Sequence, residues 1–469
     1  MADLPEVITV RRPADGVPVA RYRAVDEAGV REAVAVAAGT AASWAARHPR
    51  GRAELMLELA RLMERDAELL ARLDCEDGGK PITDCREGDV PGAIECVRWF
   101  AEAADKVTGS VASTDASALG VTTRSPCGVV SAIVPWNYPL AMAAWKVGPA
   151  LASGNCLLVK PAEATPRSVE HLARLAAEAG IPDGVLTVLA GHGGVTGRAL
   201  ADDPQVRALS FTGSQAVGRT VLTAAATSNF KRVSLEMGGK SPQILMRDAL
   251  SFGDELFEQM ATAAFLSSGQ NCTAGSRIYV HAAIVDEVTA RFVAAAEKLV
   301  LGDPADPTTQ MGPLINQAAL DRVEQVVCVA AEQGAELLTG GAAVPVLDGG
   351  HYFPATVMTG VPAGSVAARD ELFAPVVTVT PFDHEDEVVA LANDTEYGLA
   401  ASVWSRDVDV ALRVARRVEA GVVSVNCYSE GDITTPFGGW KQSGFGAVEK
   451  SMAAFEQWTL PKLTWLRTR

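Results

Sequence analysis

An α/β fold with two sheet-bearing blocks is predicted by three observations. Between residues 120 and 218 short β-branched runs alternate with helical stretches, and strands separated by helices imply a parallel sheet with crossovers. A second alternation opens after Gly239. Ahead of both lie two long alanine- and leucine-rich stretches whose apolar residues recur at helical spacing.

In chain order, residues 25–48 and 51–75 read as amphipathic helices packed on a surface, since Arg and Glu interrupt their apolar faces. The runs Val121-Thr122-Thr123 and Val129-Val130-Ser131-Ala132-Ile133-Val134 then open the first sheet. Three strand and helix units come next: residues 156–159 then 167–180, 186–189 then 194–201, and 208–211 then 215 onward. The second block contributes strands at 276–280, 376–379 and 401–404. The run 455–466 is an apolar strand too exposed for a free tail, so it is expected to pair with another subunit. No internal repeat or low-complexity linker divides the chain.

A chain of 469 residues, 48% hydrophobic and 21% charged, exceeds one ordinary domain and can bury a sizeable core. Its net charge of -16 argues against nucleic acid and anionic membrane as partners, because both repel an acidic surface, and is compatible with a cationic substrate. The start Met1-Ala2-Asp3-Leu4-Pro5-Glu6 lacks the features of a secretory signal, and no apolar run is long enough to span a bilayer, so a cytoplasmic location is expected. Eight cysteines without a C-x-x-C pair and six histidines without H-x-x-x-H spacing leave no case for a metal or a disulfide framework.

Cys272 stands in Ser268-Gly269-Gln270-Asn271-Cys272-Thr273-Ala274-Gly275, directly after the apolar helical run Met260-Ala261-Thr262-Ala263-Ala264-Phe265-Leu266. A thiol in a small-residue turn beside a helix end is desolvated yet reachable. Attack on a carbonyl needs its thiolate, hence a pKa below the free value of about 8.5. A buried structural thiol is the alternative for any free cysteine, and a partner His is a second route to activation, although none lies near Cys272 in sequence. In Val233-Ser234-Leu235-Glu236-Met237-Gly238-Gly239-Lys240 an apolar strand delivers a carboxylate into a Gly-Gly turn. There the backbone can approach a ligand closely, and a partly buried carboxylate rises toward the range of a general base. In Ile133-Val134-Pro135-Trp136-Asn137-Tyr138-Pro139 a strand runs into a turn whose Asn137 is either an oxyanion donor or a simple turn residue. In Leu209-Ser210-Phe211-Thr212-Gly213-Ser214-Gln215 a Gly-Ser turn opens a helix, an N-terminus suited to phosphate, although it does not match G-x-G-x-x-G.

Together and in this order these segments resemble the NAD(P)-dependent aldehyde dehydrogenase superfamily, over nearly the whole chain. So do Leu158-Val159-Lys160-Pro161-Ala162-Glu163, Asp370-Glu371-Leu372-Phe373-Ala374-Pro375 and Pro436-Phe437-Gly438-Gly439-Trp440-Lys441-Gln442-Ser443-Gly444. The resemblance implies a Rossmann-like cofactor domain at 1–109 and 127–238, a catalytic α/β domain at 239–454, and oligomerisation strands at 110–126 and 455–469 that make a homodimer or homotetramer. It implies Cys272 as the nucleophile that forms a thiohemiacetal, Asn137 and the Cys272 N–H as the oxyanion hole, and Glu236 as the base that hydrolyses the thioester to a carboxylic acid. Lys146 counts with these catalytic groups. Lys160 and Glu163 would hold the adenosine ribose, Ser214 the pyrophosphate and Glu371 the nicotinamide ribose, with Trp136, Thr212, Gly213, Gly238 and Phe373 along the same groove. A carboxylate at Glu163 repels a 2'-phosphate, so NAD is expected, with NADP as the alternative.

Two departures stand out. Many relatives carry Gly-Arg-Glu where this chain has Gly446-Ala447-Val448-Glu449, so the arginine is absent and Glu449 holds the acidic position. The interval from Glu236 to Cys272 is also longer than usual, with residues 249–253 read as a surface-loop insertion. For the acyl tunnel the resemblance implies Tyr138, Trp145, Leu266 and Phe437. The Tyr138 and Trp145 pair, with Glu430 and Asp432 nearby, points to the aminoaldehyde and γ-glutamyl-γ-aminobutyraldehyde branch, since a π-face binds ammonium. Leu266 leaves that cage one aromatic short, and a general tunnel for aliphatic or aromatic aldehydes is the alternative. The presence of Glu236 argues against CoA-acylating relatives, and Cys272 with Asn137 argues against a catalytically silent binding protein.

Overall fold

The computed structural model describes residues 6–467. Met1 to Pro5, where no secretory signal is read, and the last two residues of the carboxyl-terminal segment lie outside the described residues.

The strands Val129–Ile133, Cys156–Lys160 and Ala208–Gly213 are apolar at consecutive positions because helices cover both faces of the sheet they build. That six-stranded sheet runs Gly444–Phe445, Arg232–Met237, Ala208–Gly213, Val129–Ile133, Cys156–Lys160, Leu186–Val188, parallel except for Gly444–Phe445. The chain starts at its centre with Val129–Ile133, grows one way through Cys156–Lys160 and the other through Ala208–Gly213. Such a reversal opens a crevice at the strands' carboxyl ends, where ligands of open α/β sheets bind.

The second sheet has seven strands: Glu336–Thr339, Thr356–Thr359, Val376–Phe382, Arg277–His281, Pro242–Leu245, Ala400–Trp404 and Val422–Val425. Only Glu336–Thr339 is antiparallel to its neighbour. Arg232–Met237 closes the parallel part of the first sheet and Pro242–Leu245 sits inside the second, so the turn between them couples the two blocks.

Helical spacing at 25–48 becomes the helix Glu27–Ala46, its first turn capped by the Asp26 carboxylate on the Gly29 N–H. The stretch read as one helix over 51–75 is two, Pro49–Arg65 and Ala67–Gly78. The break falls at Asp66, whose backbone leaves helical geometry (ψ 15°) while its carboxylate engages Arg65 and the His171 ring.

The carboxyl-terminal strand Thr459–Arg467 forms, with Ala118–Pro126 and Ser110–Ala112, an antiparallel three-stranded sheet. Within the chain its partner is Ala118–Pro126. The other edge of Thr459–Arg467 is open and carries Leu463 and Trp465, each 59% exposed. The 249–253 segment also departs from expectation. It is a short 3-10 turn, Ala249–Phe252, with Ala249 buried and Phe252 edge-on to Trp404 at 5.4 Å between centroids. Leaving that aromatic ring in water would cost its burial energy, which is why the insertion docks instead of looping free.

Candidate active site

A cavity of about 860 Å³ lies at the carboxyl ends of the first sheet, facing the second. Of the residues singled out from sequence, it brings together Trp136, Asn137, Tyr138, Trp145, Lys160, Glu163, Thr212, Gly213, Ser214, Glu236, Gly238, Cys272, Glu371, Phe373 and Phe437. Lys146 and Leu266 do not line it. Among the described residues no histidine does either.

Cys272 reaches the cavity through an unusual turn. After the helix Asp254–Phe265 the chain leaves helical geometry at Leu266, and Ser267 and Ser268 take left-handed backbone angles (φ 54° and 57°). The two residues flanking Cys272 are then cross-braced by one phenol. Asn271 Nδ2 donates to the Tyr428 hydroxyl at 2.8 Å. The Thr273 hydroxyl donates to Glu430, so the Tyr428 O–H donates in turn to Thr273 Oγ1 at 2.7 Å. Asn271 Oδ1 also accepts the Thr273 N–H, at 3.3 Å. Tyr428 escaped the sequence reading because its only signal was an aromatic in the loop after the strand Val422–Val425.

Across the cavity Asn137 is buried and spends one amide hydrogen on the Gln270 carbonyl at 3.0 Å. That bond fixes the amide plane beside the nucleophile turn and leaves the second hydrogen for an oxygen in the cavity.

Glu236 is the penultimate residue of Arg232–Met237, and alternation sends it to the cavity while Leu235 and Met237 enter an apolar cluster. It is 3% exposed and its Oε1 has no hydrogen-bond partner. Burial pushes its pKa up to about 8; the Lys146 ammonium opposes the rise and the Glu449 carboxylate adds to it. Lys146 stands behind the wall, fully buried, in an ion pair with Glu449, whose Oε1 also accepts from Ser210 Oγ at 3.3 Å. Trp145 and Lys146 are adjacent on the helix Pro139–Ala152, so about 100° of rotation gives one to the cavity and the other to Glu449. The thiol departs from the sequence expectation. Burial, then the charges of Glu236, Glu430 and Glu371, push Cys272 well above its usual value, not below it. Glu236 and Cys272 are close enough to shift one another, the carboxylate raising the thiol and hydrogen bonding to the thiol lowering the carboxylate.

Toward the first sheet the lining changes character. Lys160 Nζ donates to the Pro161 carbonyl at 2.9 Å and approaches Glu163 at 3.4 Å, while Glu163 Oε1 accepts the Gly193 N–H at 2.6 Å. Burial works against the Glu163 carboxylate, but Lys160 and the Gly193 N–H outweigh it and hold the group below its usual value. Ser214 caps the helix Gln215–Thr227 at the switch point of the sheet. Glu371 accepts the Gly239 N–H at 3.1 Å, and a Cβ at Gly238 would come within 2.0 Å of its Oε2, so only glycine lets this carboxylate face the groove. Trp136 and Phe373 meet edge-on at 5.4 Å, and the buried Thr212 hydroxyl lacks a partner. Carboxylates at two separated points, a helix N-terminus between them and a partnerless hydroxyl fit an elongated polyhydroxylated anion such as a dinucleotide.

The opposite end is aromatic. Trp145 and Phe437 meet at 5.2 Å between centroids, and Tyr138 completes the wall. Leu266 does not take part, a correction to the sequence reading. It lines a separate groove with Phe257 and Arg291, because the left-handed turn at Ser267 and Ser268 directs only the residues from Asn271 onward to the active cavity. Two lysines not singled out as site residues from the sequence stand against these rings. Lys80 Nζ lies 3.3 Å from the Tyr138 centroid from behind the wall, paired with Asp89, and Lys450 lines the cavity itself. Glu430 and Asp432, the acidic pair expected near the tunnel, are at the mouth with Glu95.

The pattern that defines the aldehyde dehydrogenase family matches residues 2–464. Aminoacetaldehyde dehydrogenase of Pseudomonas aeruginosa is 42% identical over 97% of this chain and 91% of its own length. The crystal structure of a γ-glutamyl-γ-aminobutyraldehyde dehydrogenase from Burkholderia cenocepacia J2315 superposes with a TM-score of 0.96 at 45% identity, covering 99% of this chain and 94% of that one. An indole-3-acetaldehyde dehydrogenase of P. syringae, solved with NAD+, gives a TM-score of 0.96 at 41% identity, with the same coverage.

The bracing of the nucleophile turn and the burial of Glu236 can each be probed by a single substitution. Tyr428→Phe removes both hydroxyl bonds that brace the turn; at about 1 kcal/mol each, kcat/KM should fall roughly tenfold or somewhat more, with the circular dichroism spectrum intact. Unchanged kcat/KM would show that the turn holds itself. Glu236 must lose its proton to act as a base, so kcat should rise with pH through about 8. In Glu236→Gln that rising limb should vanish and the rate fall by about 10² to 10⁴, which a pH series of initial rates measures directly.

Proposed function

Because this chain belongs to the aldehyde dehydrogenase family and is an oxidoreductase acting on aldehydes, we propose that it oxidises a nitrogen-bearing aldehyde to the carboxylic acid with NAD. The observation that carries the reading is the meeting of Cys272, Asn137 and Glu236 in one buried cavity between an aromatic pocket and a polar groove.

The thiol of Cys272 gives its proton to Glu236 and adds to the aldehyde carbon, while the carbonyl oxygen takes the free amide hydrogen of Asn137 as it becomes anionic. NAD, when bound, accepts the hydride from the resulting thiohemiacetal. Lys160, Glu163, Ser214 and Glu371 would hold it, with Trp136, Thr212, Gly213, Gly238 and Phe373 beside it. Glu236 releases the thiol proton to solvent, then takes one from water as the water attacks the thioester carbon, and passes it to the leaving sulfur, so that the acid departs and Cys272 recovers its thiol. Lys146 and Glu449 are positioning residues here: their ion pair sets the field in which Glu236 titrates. On this reading the six-stranded sheet serves the cofactor and the seven-stranded one the nucleophile.

For the substrate, the mouth joins Glu430, Asp432 and Glu95 to Lys450 around Tyr138, Trp145 and Phe437. Groups of both signs favour a tail with both signs, such as a γ-glutamyl-aminoaldehyde, over a simple aminoaldehyde. The names of the P. aeruginosa and B. cenocepacia relatives agree with this class. A soluble cytoplasmic homo-oligomer joined through the open edge at Thr459–Arg467 completes the proposal; among the described residues no helix is long and apolar enough to cross a membrane.

Initial rates of NADH formation with γ-glutamyl-γ-aminobutyraldehyde and with a neutral aldehyde of equal length test the substrate class. An advantage in kcat/KM of about tenfold or more for the first supports it, and equal rates leave a general aldehyde dehydrogenase. Replacing Leu463 and Trp465 together by Glu should bring the particle down to the 49.1 kDa of one chain in light scattering; an unchanged mass would place the interface elsewhere.

A further inference from the structure

Lys450 sits where a cationic substrate would be expected to sit. Its Nζ lies 5.3 Å from the Trp145 centroid and 5.5 Å from that of Phe437, over the corner these two rings make. Two of its three hydrogens are committed to main-chain oxygens of the mouth loop, Glu430 O at 2.7 Å and Gly431 O at 3.2 Å. The residue also lines the cavity, and an ammonium has a third hydrogen to offer there.

The chain goes to some cost to hold it there. Lys450 and Ser451 both have left-handed φ, 58° and 50°, without being glycine. Paired backbone bonds hold that kink on both sides: Glu449 and Phe437 exchange N–H to carbonyl bonds at 2.7 and 2.9 Å, and the Ser451 N–H donates to Ile433 at 2.8 Å. Of the carboxylates nearby, Glu430 accepts from the Thr273 hydroxyl of the Cys272 turn and Asp432 from the Thr434 N–H and O–H of its own loop.

We propose that Lys450 is a specificity-determining residue whose ammonium fills the aromatic corner of the acyl tunnel and bars aldehydes that end in a quaternary ammonium. The proposal rests on the reading of this cavity as the acyl tunnel of an aldehyde dehydrogenase. Trp145 and Phe437 attract positive charge and Lys450 already supplies it, so an alkylammonium tail loses the π-face and meets a like charge. An amide or carboxylate oxygen instead accepts the remaining Lys450 N–H. Selectivity against the cation is then built by repulsion, while the same group attracts its preferred ligand.

Betaine aldehyde and 3,3-dimethylbutanal have the same shape and differ by the charge of one central atom, and hydration of each aldehyde cancels when variants are compared. The readout is the ratio of their kcat/KM values in wild type, Lys450→Met and Lys450→Arg, by NADH formation. In Lys450→Met the ratio should move at least about tenfold toward betaine aldehyde, whatever factor is common to both rates, and in Lys450→Arg it should stay within about threefold of wild type. Lys450→Gln serves if the Met variant does not fold. A ratio that moves less than about threefold in Met and Gln, or both substrates gaining together, overturns the proposal and leaves Lys450 a loop anchor. Failure of the tunnel reading itself looks different: neither aldehyde would yield NADH with the wild-type protein.

Discussion

The geometry of the cavity depends on one short connection. Arg232–Met237 belongs to the six-stranded sheet and Pro242–Leu245 to the seven-stranded one, and only residues 238–241 join them. The nucleophile turn is packed onto that connection so closely that a Cβ at Gly239 would lie 2.4 Å from the Cys272 carbonyl oxygen. Backbone cannot yield to such a clash by rotating a side chain, so a glycine here sets the distance between the two blocks. Glu236 and Cys272 face each other because the strand end and the turn have no other way to fit.

That closeness has an electrostatic consequence. Burial makes both acids resist ionisation, and it lifts Glu236 to about 8 and Cys272 well above its usual value. The Glu236 charge raises the thiol further, whereas hydrogen bonding to the thiol holds Glu236 down. The arrangement suits a reaction in which a single proton moves between them. A nucleophile permanently ionised in the acyl tunnel would react with any electrophile that entered, whereas one that ionises only as Glu236 accepts its proton is held in reserve. The buried Lys146 and Glu449 pair adjusts this balance from behind the wall without touching the substrate.

Much of this was legible in the sequence, for reasons that differ from residue to residue. The strands Cys156–Lys160 and Ala208–Gly213 announced themselves because a sheet covered on both faces needs unbroken apolar runs. Cys272 and Asn137 stand out because each lies in a run of small, aromatic or proline residues, and Glu236 because an apolar strand carries it into a Gly-Gly turn. What was missed depends on contacts across the chain. Tyr428 matters through Asn271 and Thr273, more than 150 residues away. Leu266 was misplaced because two non-glycine residues with left-handed backbone turn the chain just after it, and serine carries no signal for that conformation. The expected low thiol pKa failed for a related reason: sequence shows the polar turn but not the depth at which it is buried.

The tunnel wall shows how the same aromatic residues can mean opposite things. Rings at Tyr138, Trp145 and Phe437 suggest a cage for a cation when only the sequence is seen, since their faces carry negative potential. In the fold those faces are answered from within, Lys80 on Tyr138 and Lys450 on the other two. An aromatic cage already holding a cation presents that cation to whatever enters. The pocket that looks built for ammonium thus becomes one that favours an oxygen-bearing tail, and the acidic mouth outside it is left to meet whatever positive charge that tail carries farther out.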